Sequence, residues 1–185
     1  MPSEAAQPAL RNFFTIDLED WFHANYAATP TTSGPSTVAQ NSAVLLDLLA
    51  RHNVRATFFC LGKVALEHPE LIRRIHGLGH EIASHGTAHA LAYTQTPAEF
   101  RADVKASKER LEDLTGTAVL GYRAPSWSIT RANLWALNEL AELGFRYDSS
   151  IFPLATFLYG IPDAPRFPYV PEIGGKALPL TEIPP

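Results

Sequence analysis

The sequence has 185 residues, of which 46% are hydrophobic and 18% charged, and a net charge of −4 at pH 7. That length fits one domain with a real core, so composition excludes a disordered chain, and the negative charge argues against a nucleic-acid binder. No apolar run is long enough for a membrane span, and no secretory signal opens the chain, so the cytoplasm is the expected compartment. The single cysteine, Cys60, excludes an intramolecular disulfide framework.

Short apolar segments alternate with amphipathic ones from residue 12 onward. Strands are predicted at 12–17, 55–61, 80–84, 119–122 and 145–147. A first helix is predicted to end near 52–53, and further helices are predicted at 69–78, 97–116 and 130–143. This alternation predicts parallel βαβ units, arranged either as a doubly wound sheet or as a (β/α) barrel. Residues 1–10 are predicted to be a flexible tail and residues 11–185 a single domain.

The C-terminal segment is rich in proline from Pro153 onward. Irregular backbone of about 30 residues is unusual in a compact domain unless it covers a site, so this segment is expected to fold over a site mouth. One more strand is predicted at 178–183. Because the chain ends directly after it, the fold is expected to be cut short there, with an unpaired strand edge.

Polar residues follow four of the predicted strands, where parallel α/β folds place their functional groups. His85 and His89 follow the third strand, and their spacing of four lets both rings share one metal ion. His76 and His80 have the same spacing, but they span a helix end and a strand start on the opposite face of the sheet. This second pair is interpreted as structural, which leaves His85 and His89 as the candidate metal ligands.

Three acids, Asp17, Glu19 and Asp20, lie at the end of the first strand. Carboxylates this close repel one another unless a cation lies nearby, although a solvated acidic turn is the alternative. Strand pleating sends Asp17 and Glu19 to the same face. Two histidines and one carboxylate form a common catalytic zinc set, and a second carboxylate beside it can act as a general base.

Arg123 and two tryptophans complete the predicted mouth. Arg123 follows the fourth strand and could hold a carboxylate through two hydrogen bonds, which would keep a base ionised and oriented. Trp21 and Trp127 lie beside these polar residues and could stack on sugar rings. Cys60 lies within an apolar strand and is interpreted as a small buried hydrophobic residue rather than a nucleophile.

Four segments carry these residues in chain order: TIDLEDWFH at 15–23, EIASHGTAH at 81–89, YRAPS at 122–126 and YDSSIFP at 147–153. Together they resemble the polysaccharide deacetylases of carbohydrate esterase family 4, most closely the branch linked to bacterial exopolysaccharide and exosortase systems. The resemblance covers residues 12–185. It implies an incomplete seven-stranded (β/α) barrel that lacks its C-terminal strands, with residues 11–185 as the catalytic domain.

The resemblance also implies a role for individual positions. Asp17 matches the catalytic base, His85 and His89 match the metal ligands, and Arg123 matches the arginine that pairs with the base. The implied reaction is hydrolysis of an N-acetyl group on an amino sugar of an oligo- or polysaccharide. The residues expected to contact the substrate are Trp21, His23, Pro125, Trp127 and Asp148.

Two departures from the family pattern leave questions open. The family has two adjacent aspartates in its first motif, whereas Leu18 follows Asp17 here, so the carboxylate ligand is either Glu19 or Asp20. The family also takes a histidine acid from a strand near the C-terminus, and this sequence has no histidine after His89. His23 is the candidate substitute, unless it is a loop histidine that bonds only to backbone.

One divalent ion is expected, zinc above all, with cobalt or nickel able to replace it because imidazole and carboxylate suit all three. Two other functions remain open. The first is a related amidohydrolase that opens a cyclic amide or ureide. The second is a non-catalytic sugar-binding domain, although such a domain would not need a catalytic base. Nothing in the sequence indicates an oligomeric state.

Overall fold

The computed structural model describes residues 12–23 and 34–185. Its strands and helices in chain order are β1 (Thr15–Leu18), α1 (Val38–Arg51), β2 (Thr57–Cys60), α2 (Gly62–Glu67), α3 (Pro69–Gly77), β3 (Glu81–Ser84), α4 (Pro97–Thr115), β4 (Gly121–Tyr122), α5 (Trp135–Glu142), β5 (Tyr147–Asp148), β6 (Glu172–Ile173), β7 (Lys176–Ala177) and β8 (Thr181–Glu182). The predicted tail at residues 1–10 lies outside the described residues.

Six parallel strands form one sheet in the order β1-β2-β3-β4-β5-β8. The strand order follows the chain without reversal, which is the topology of a barrel and not of a doubly wound sheet. The expected α/β class with a partial (β/α) barrel is therefore confirmed.

Side chains from strands that are not neighbours meet across the concave face of this sheet. Arg123, directly after β4, donates to Asp17 of β1 at 2.9 Å, and Tyr147 of β5 donates to Glu81 of β3 at 2.9 Å. Gly121 leaves room for the Tyr147 ring on this face, because a Cβ at this position would lie 2.0 Å from the ring. The concave face is thus the interior of the partial barrel.

The convex face carries the hydrophobic core. Every second strand residue points outward to the helices, and Leu18, Phe58, Cys60, Ile82 and Tyr122 are all buried there. Cys60 is fully buried, as the sequence indicated, and burial raises the pKa of its thiol. Helix α4 packs against α2, α3 and α5 and covers β3.

Helix ends follow the local sequence signals in several places. Thr96 and Glu99 form a capping box at the start of α4, and Gly116 ends that helix with a φ of +66°. The sequence did not predict α2, a helix too short to show a clear apolar period. The helix predicted at 130–143 is a 3-10 turn at Arg131–Asn133 followed by the shorter α5.

The proline-rich C-terminal segment contains no helix, as the sequence predicted. It forms the β6–β7 hairpin and then β8, which lies inside the strand predicted at 178–183 and pairs with β5. The edge of β8 is partly covered, because Tyr169 and Glu182 exchange two backbone hydrogen bonds of 3.0 and 2.8 Å. Among residues 12–23 and 34–185, no helix is both long and apolar enough to cross a bilayer.

Candidate active site

The carboxyl ends of β1, β3 and β4 bring together residues that are far apart in the chain. Asp17 lies on β1, with Glu19 just beyond its end, His85 directly follows β3, and Arg123 directly follows β4. Because these strands are parallel, their carboxyl ends share one edge of the sheet, so residues from all of them open into the same mouth.

Glu19, His85 and His89 form a cluster at this mouth. Glu19 Oε2 lies 2.9 Å from His89 Nε2 and 3.9 Å from His85 Nε2. One potential ligand atom from each of the three residues lies within 4.8 Å of the other two. Both histidines are buried, whereas a quarter of the Glu19 side chain (25%) is exposed.

The chemistry of these three side chains fits a divalent cation. His85 Nδ1 donates to the Arg123 carbonyl at 2.7 Å. In the neutral ring the free lone pair is therefore on Nε2, the nitrogen on the side of Glu19. Burial lowers the pKa of His85, although the charges of Asp17 and Glu19 oppose that effect, so the ring is held in its neutral, metal-binding form. Glu19 Oε2 is buried and, although His89 Nε2 lies 2.9 Å away, it accepts no hydrogen bond of normal geometry among the described residues. A cation at this point would satisfy it.

The loop that presents the two histidines is held by helix α4. Thr87 donates its backbone N–H to Asp103 Oδ2 at 3.0 Å and its hydroxyl to the Asp103 carbonyl at 2.7 Å. Gly86 has a φ of +76°, and a Cβ there would lie 2.9 Å from Asp103 Oδ2, so only glycine fits. His89 itself has a φ of +60°, a left-handed conformation that only a few per cent of residues with a side chain adopt.

Arg123 fixes the position of Asp17. Its Nη1 donates to Asp17 Oδ1 at 2.9 Å and to Thr15 Oγ1 at 3.1 Å. Its other nitrogens are held by Ser149, with Nη2 2.9 Å from Oγ and Nε 3.2 Å from the carbonyl. The guanidinium also lies over the Phe59 ring at 4.1 Å. Arg123 is 4% exposed, so its charge acts on Asp17 with little solvent screening.

Asp20 does not point into the mouth. Its Oδ1 accepts the backbone N–H groups of Thr37 and Val38 at 2.8 and 3.0 Å, and its Oδ2 accepts the Ser36 hydroxyl at 2.7 Å. These bonds place the carboxylate at the start of α1, where a negative charge satisfies unpaired N–H groups and the helix dipole. The structure therefore corrects the expectation that Asp20 could bind the metal. Of the two acids left open, Glu19 is the one beside the histidines.

His23 ends the 3-10 turn that follows β1 and is partly buried. Its Nδ1 accepts the Asp20 backbone N–H at 3.0 Å, so the neutral ring carries its proton on Nε2. Nε2 is buried and has no hydrogen-bond partner among the described residues. Burial and the Lys63 charge lower the pKa of His23. This geometry makes Nε2–H a hydrogen-bond donor and disfavours the imidazolium that a proton-donating acid would need.

Trp127, but not Trp21, is packed into an aromatic wall beside the mouth. The Trp127 ring contacts Phe152 and Tyr159, with centroids 5.4 and 5.2 Å apart. It also borders a cavity of about 600 Å³ that Asp17 and Arg123 share. Trp127 follows Pro125 in a 3-10 turn, and Pro125 is buried. Trp21 lies at the start of a 3-10 turn after β1 and is 57% exposed.

The proline-rich segment borders this same cavity, as the sequence predicted for a segment that covers a site. Arg166, Phe167 and Pro168 line it together with Asp17 and Arg123. His76 and His80, the pair interpreted as structural, lie elsewhere: His80 Nδ1 accepts the Ala56 backbone N–H at 3.2 Å, and His76 Nε2 is 3.3 Å from the Thr117 hydroxyl.

Asp148 is not available to a substrate, which corrects the expectation that it contacts one. It is fully buried on the convex side of the sheet, directly across from Glu182 of β8 in the strand register. The reason is pleating, because Tyr147 points into the interior and its neighbour must point outward. Glu182, which is equally buried, was not singled out from the sequence. A glutamate within an otherwise apolar strand was the signal that could have identified it.

A family model described as polysaccharide deacetylase matches residues 32–147, more than half of the chain. The chain belongs to the polysaccharide deacetylase family. The matched range contains His85, His89 and Arg123 but begins after β1, so Asp17 and Glu19 lie outside it. The family resemblance seen in the sequence is thereby confirmed.

Individual polysaccharide deacetylases match the same part of the chain. The chain is 33% identical to the peptidoglycan deacetylase of Helicobacter pylori over 108 residues, which cover 58% of the chain and 36% of that protein. It is 35% identical to a peptidoglycan-N-acetylglucosamine deacetylase of Bacillus cereus over 96 residues, which cover 51% of the chain and 35% of that protein. The chain thus spans about a third of the length of these curated relatives.

A solved structure extends the similarity to almost the whole chain. A Mycobacterium smegmatis protein, provisionally described as a polysaccharide deacetylase, superposes with a TM-score of 0.69 and 31% identity. The similarity covers 93% of this chain and 57% of that one. It therefore reaches β1, with Asp17 and Glu19, beyond the range of the family model.

Proposed function

We propose that this chain is a metal-dependent N-deacetylase that acts on an amino sugar of a bacterial polysaccharide or of its precursor. The observation that carries the proposal is the double role of Arg123. Its side chain holds Asp17 at 2.9 Å, and its backbone carbonyl accepts His85 Nδ1–H at 2.7 Å. One residue thus links the proposed base to the proposed metal ligands. The H. pylori and B. cereus relatives, both named as deacetylases of peptidoglycan, support the substrate class.

In this proposal Glu19, His85 and His89 hold one divalent ion, with zinc the first candidate and cobalt or nickel as substitutes. When bound, such an ion supplies a Lewis acid that activates water and polarises an amide carbonyl. Asp17 takes a proton from the attacking water. Arg123 fixes the direction of the Asp17 carboxylate through the hydrogen bond from Nη1. The proton that Asp17 has accepted is then available to the leaving nitrogen.

Substrate binding is assigned to groups around the mouth. Trp127 offers an aromatic face to a sugar ring, and His23 offers its unpaired Nε2–H to a sugar hydroxyl or carbonyl. Trp21 is exposed and could contact a further sugar of an oligosaccharide. Pro125 supports the turn that carries Trp127 rather than contacting substrate itself. The link to exopolysaccharide systems stays a prediction from the sequence.

Acetate release from N-acetylated glucosamine oligomers tests the proposal. The protein is stripped with a chelator, and Zn²⁺, Co²⁺ or Ni²⁺ is then added. We expect activity to disappear and to return with the metal, and His85→Ala to remain inactive with metal present. His76→Ala is the matched control, because His76 is a histidine outside the site and the variant should retain activity.

Ring opening and oligosaccharide binding, measured beside acetate release, separate the other two functions. Ring opening of a cyclic amide or ureide without acetate release would assign the amidohydrolase activity instead. Oligosaccharide binding with no turnover, at any metal concentration, would assign a sugar-binding domain and overturn the proposal.

A further inference from the structure

A chain of hydrogen bonds leads from His85 to the convex side of the sheet. His85 Nδ1 donates to the carbonyl of Arg123 at 2.7 Å. The N–H of the same peptide group, which belongs to Ala124, donates to Ser150 Oγ at 2.8 Å. Ser150 Oγ in turn donates to Asp148 Oδ1 at 2.6 Å. Every donor in this chain points away from the mouth and towards Asp148.

The chain ends on a pair of buried carboxyl groups. Asp148 and Glu182 are both fully buried and lie opposite each other in adjacent parallel strands. Glu182 Oε1 accepts the Ile151 backbone N–H at 3.0 Å. Asp148 Oδ2 and Glu182 Oε2 are buried and have no hydrogen-bond partner among the described residues. Two carboxyl groups that face each other in this way repel unless one of them carries a proton.

The groups around the pair favour this singly protonated state. Burial raises the pKa of both carboxyl groups, and the rise at Glu182 is the larger because the charge of Asp148 adds to it. The Arg123 charge lowers the pKa of Glu182 and so favours retention of one negative charge. Tyr122 and Tyr169, whose own pKa values are raised by burial and by these acids, stay neutral beside them. As pH falls, the first proton that the pair binds therefore goes to Glu182, because its pKa is raised further than that of Asp148.

We infer that Ser150, Asp148 and Glu182 are positioning residues for the metal site, which they reach through the peptide group between Arg123 and Ala124. The inference rests on the proposed metal-binding function of His85. The charge on Asp148 polarises each hydrogen bond in the chain towards itself. His85 is thereby fixed with its proton on Nδ1, and its Nε2 becomes a better metal ligand. Ser149, the neighbour of Ser150, holds the Arg123 side chain at the same time.

The nitrogen shifts of His85 in the metal-free protein test this inference first. Side-chain ¹⁵N spectra distinguish the two neutral tautomers of histidine. We expect His85 to carry its proton on Nδ1, and this population to fall in Ser150→Ala, which removes the acceptor of the Ala124 N–H. The Nε2–H tautomer in the parent protein would overturn the inference, and no variant is needed to see it.

Zn²⁺ affinity measured by competition with a chromophoric chelator is the second test. Loss of a direct outer partner of a ligating histidine typically weakens metal binding by about 10- to 100-fold, and Ser150→Ala, which acts one peptide group further away, should weaken it by about 10-fold, the lower end of that range. Glu182→Gln should bind Zn²⁺ like the parent, because its amide can donate to Asp148 and its carbonyl can accept from Ile151. Ser128→Ala is the matched control, since Ser128 is a buried serine that accepts a backbone N–H from Ala92, away from this chain.

The outcomes separate the inference from the proposed function. If the parent protein binds no Zn²⁺, the proposed function fails, and the tautomer of His85 still decides the inference. If the parent binds Zn²⁺ and Ser150→Ala binds it equally well, the proposed function stands and the inference is overturned. Equal weakening in Ser150→Ala and Ser128→Ala would also overturn it, because general destabilisation would then be the cause.

Discussion

Arg123 shows how much of the site depends on one buried residue. A buried guanidinium needs partners for its charge and its donors, and Asp17, Thr15 and Ser149 provide them. These side-chain bonds also hold the backbone of Arg123 in place, and its carbonyl accepts the hydrogen bond from His85 Nδ1. The position of the carboxylate, the charge beside it and the orientation of a histidine are therefore set together.

Asp17→Asn tests the role of the carboxylate. The amide keeps the size of the side chain and can still accept from Arg123, but it cannot take a proton from water. We expect metal binding to persist and kcat to fall by about 10²- to 10⁴-fold, the usual contribution of a general base. Steady-state acetate release and a parallel Zn²⁺ titration measure both quantities. Near-normal kcat in this variant would transfer the role to another group.

His23→Ala tests whether His23 binds substrate or delivers a proton. The fixed Nε2–H predicts a donor, so KM should rise while kcat changes little and the acidic limb of the pH profile stays in place. The same kinetic series measured across pH gives both answers. A large fall in kcat at unchanged KM, together with a shifted pH limb, would identify His23 as an acid instead.

At the level of elements, neighbouring acids after β1 serve two different purposes. Glu19 faces the histidines, whereas Asp20 caps α1 from a distance of 16 to 18 residues along the chain. The strand therefore ends in a turn that fixes both the mouth and the start of the first helix. The α3 and α4 starts, by contrast, follow from local signals such as Pro69 and the Thr96 capping box.

Substitution of these two acids should separate stability from metal binding. Asp20→Ala removes the cap of α1 and should lower the free energy of unfolding by about 1–2 kcal/mol while leaving Zn²⁺ affinity nearly unchanged. Glu19→Gln should abolish tight Zn²⁺ binding with little effect on the stability of the metal-free protein. Chemical denaturation and Zn²⁺ titration of both variants give the comparison. The reverse pattern would assign the ligand to Asp20.

The sequence predicted these elements and their functional ends better than it predicted side-chain directions. Alternation of strands and helices, and the polar residues after each strand, sufficed to group Asp17, His85 and Arg123 at one mouth. The roles of Asp20 and Asp148 required the structure. Asp20 bonds to a helix start that lies beyond an intervening segment, and the direction of Asp148 depends on the pleat of a strand that is only two residues long. Neither follows from spacing along the chain.

For the molecule as a whole, the partial barrel has polar groups on both faces of its sheet. The concave face carries Asp17 and Arg123, and the convex face, which is largely apolar, contains the buried pair Asp148 and Glu182. Because β5 and β8 pair directly at this point, the pair also joins the proline-rich C-terminal segment to the rest of the sheet. The stability of the molecule should therefore depend on the protonation of Glu182.

Glu182→Gln tests that dependence. In the unfolded chain a glutamate loses its proton near pH 4.3, whereas the raised pKa of Glu182 keeps its proton in the folded protein at higher pH. The parent therefore loses stability as pH rises from that point, by up to about 1.4 kcal/mol per pH unit, and the neutral glutamine does not. Denaturation of both proteins between pH 4 and pH 8 measures the difference. Parallel stability curves would rule out a protonated Glu182.

Glu19, His85 and His89 are the proposed ligands of one divalent ion beside Asp17. An anomalous difference map from crystals grown with Zn²⁺, collected on both sides of the zinc absorption edge, tests this site directly. We expect one strong peak within coordination distance of Glu19 Oε2, His85 Nε2 and His89 Nε2, on the side of the mouth where Asp17 lies. No peak at these atoms, or a peak held by Asp20 with Glu19 turned away, would contradict it.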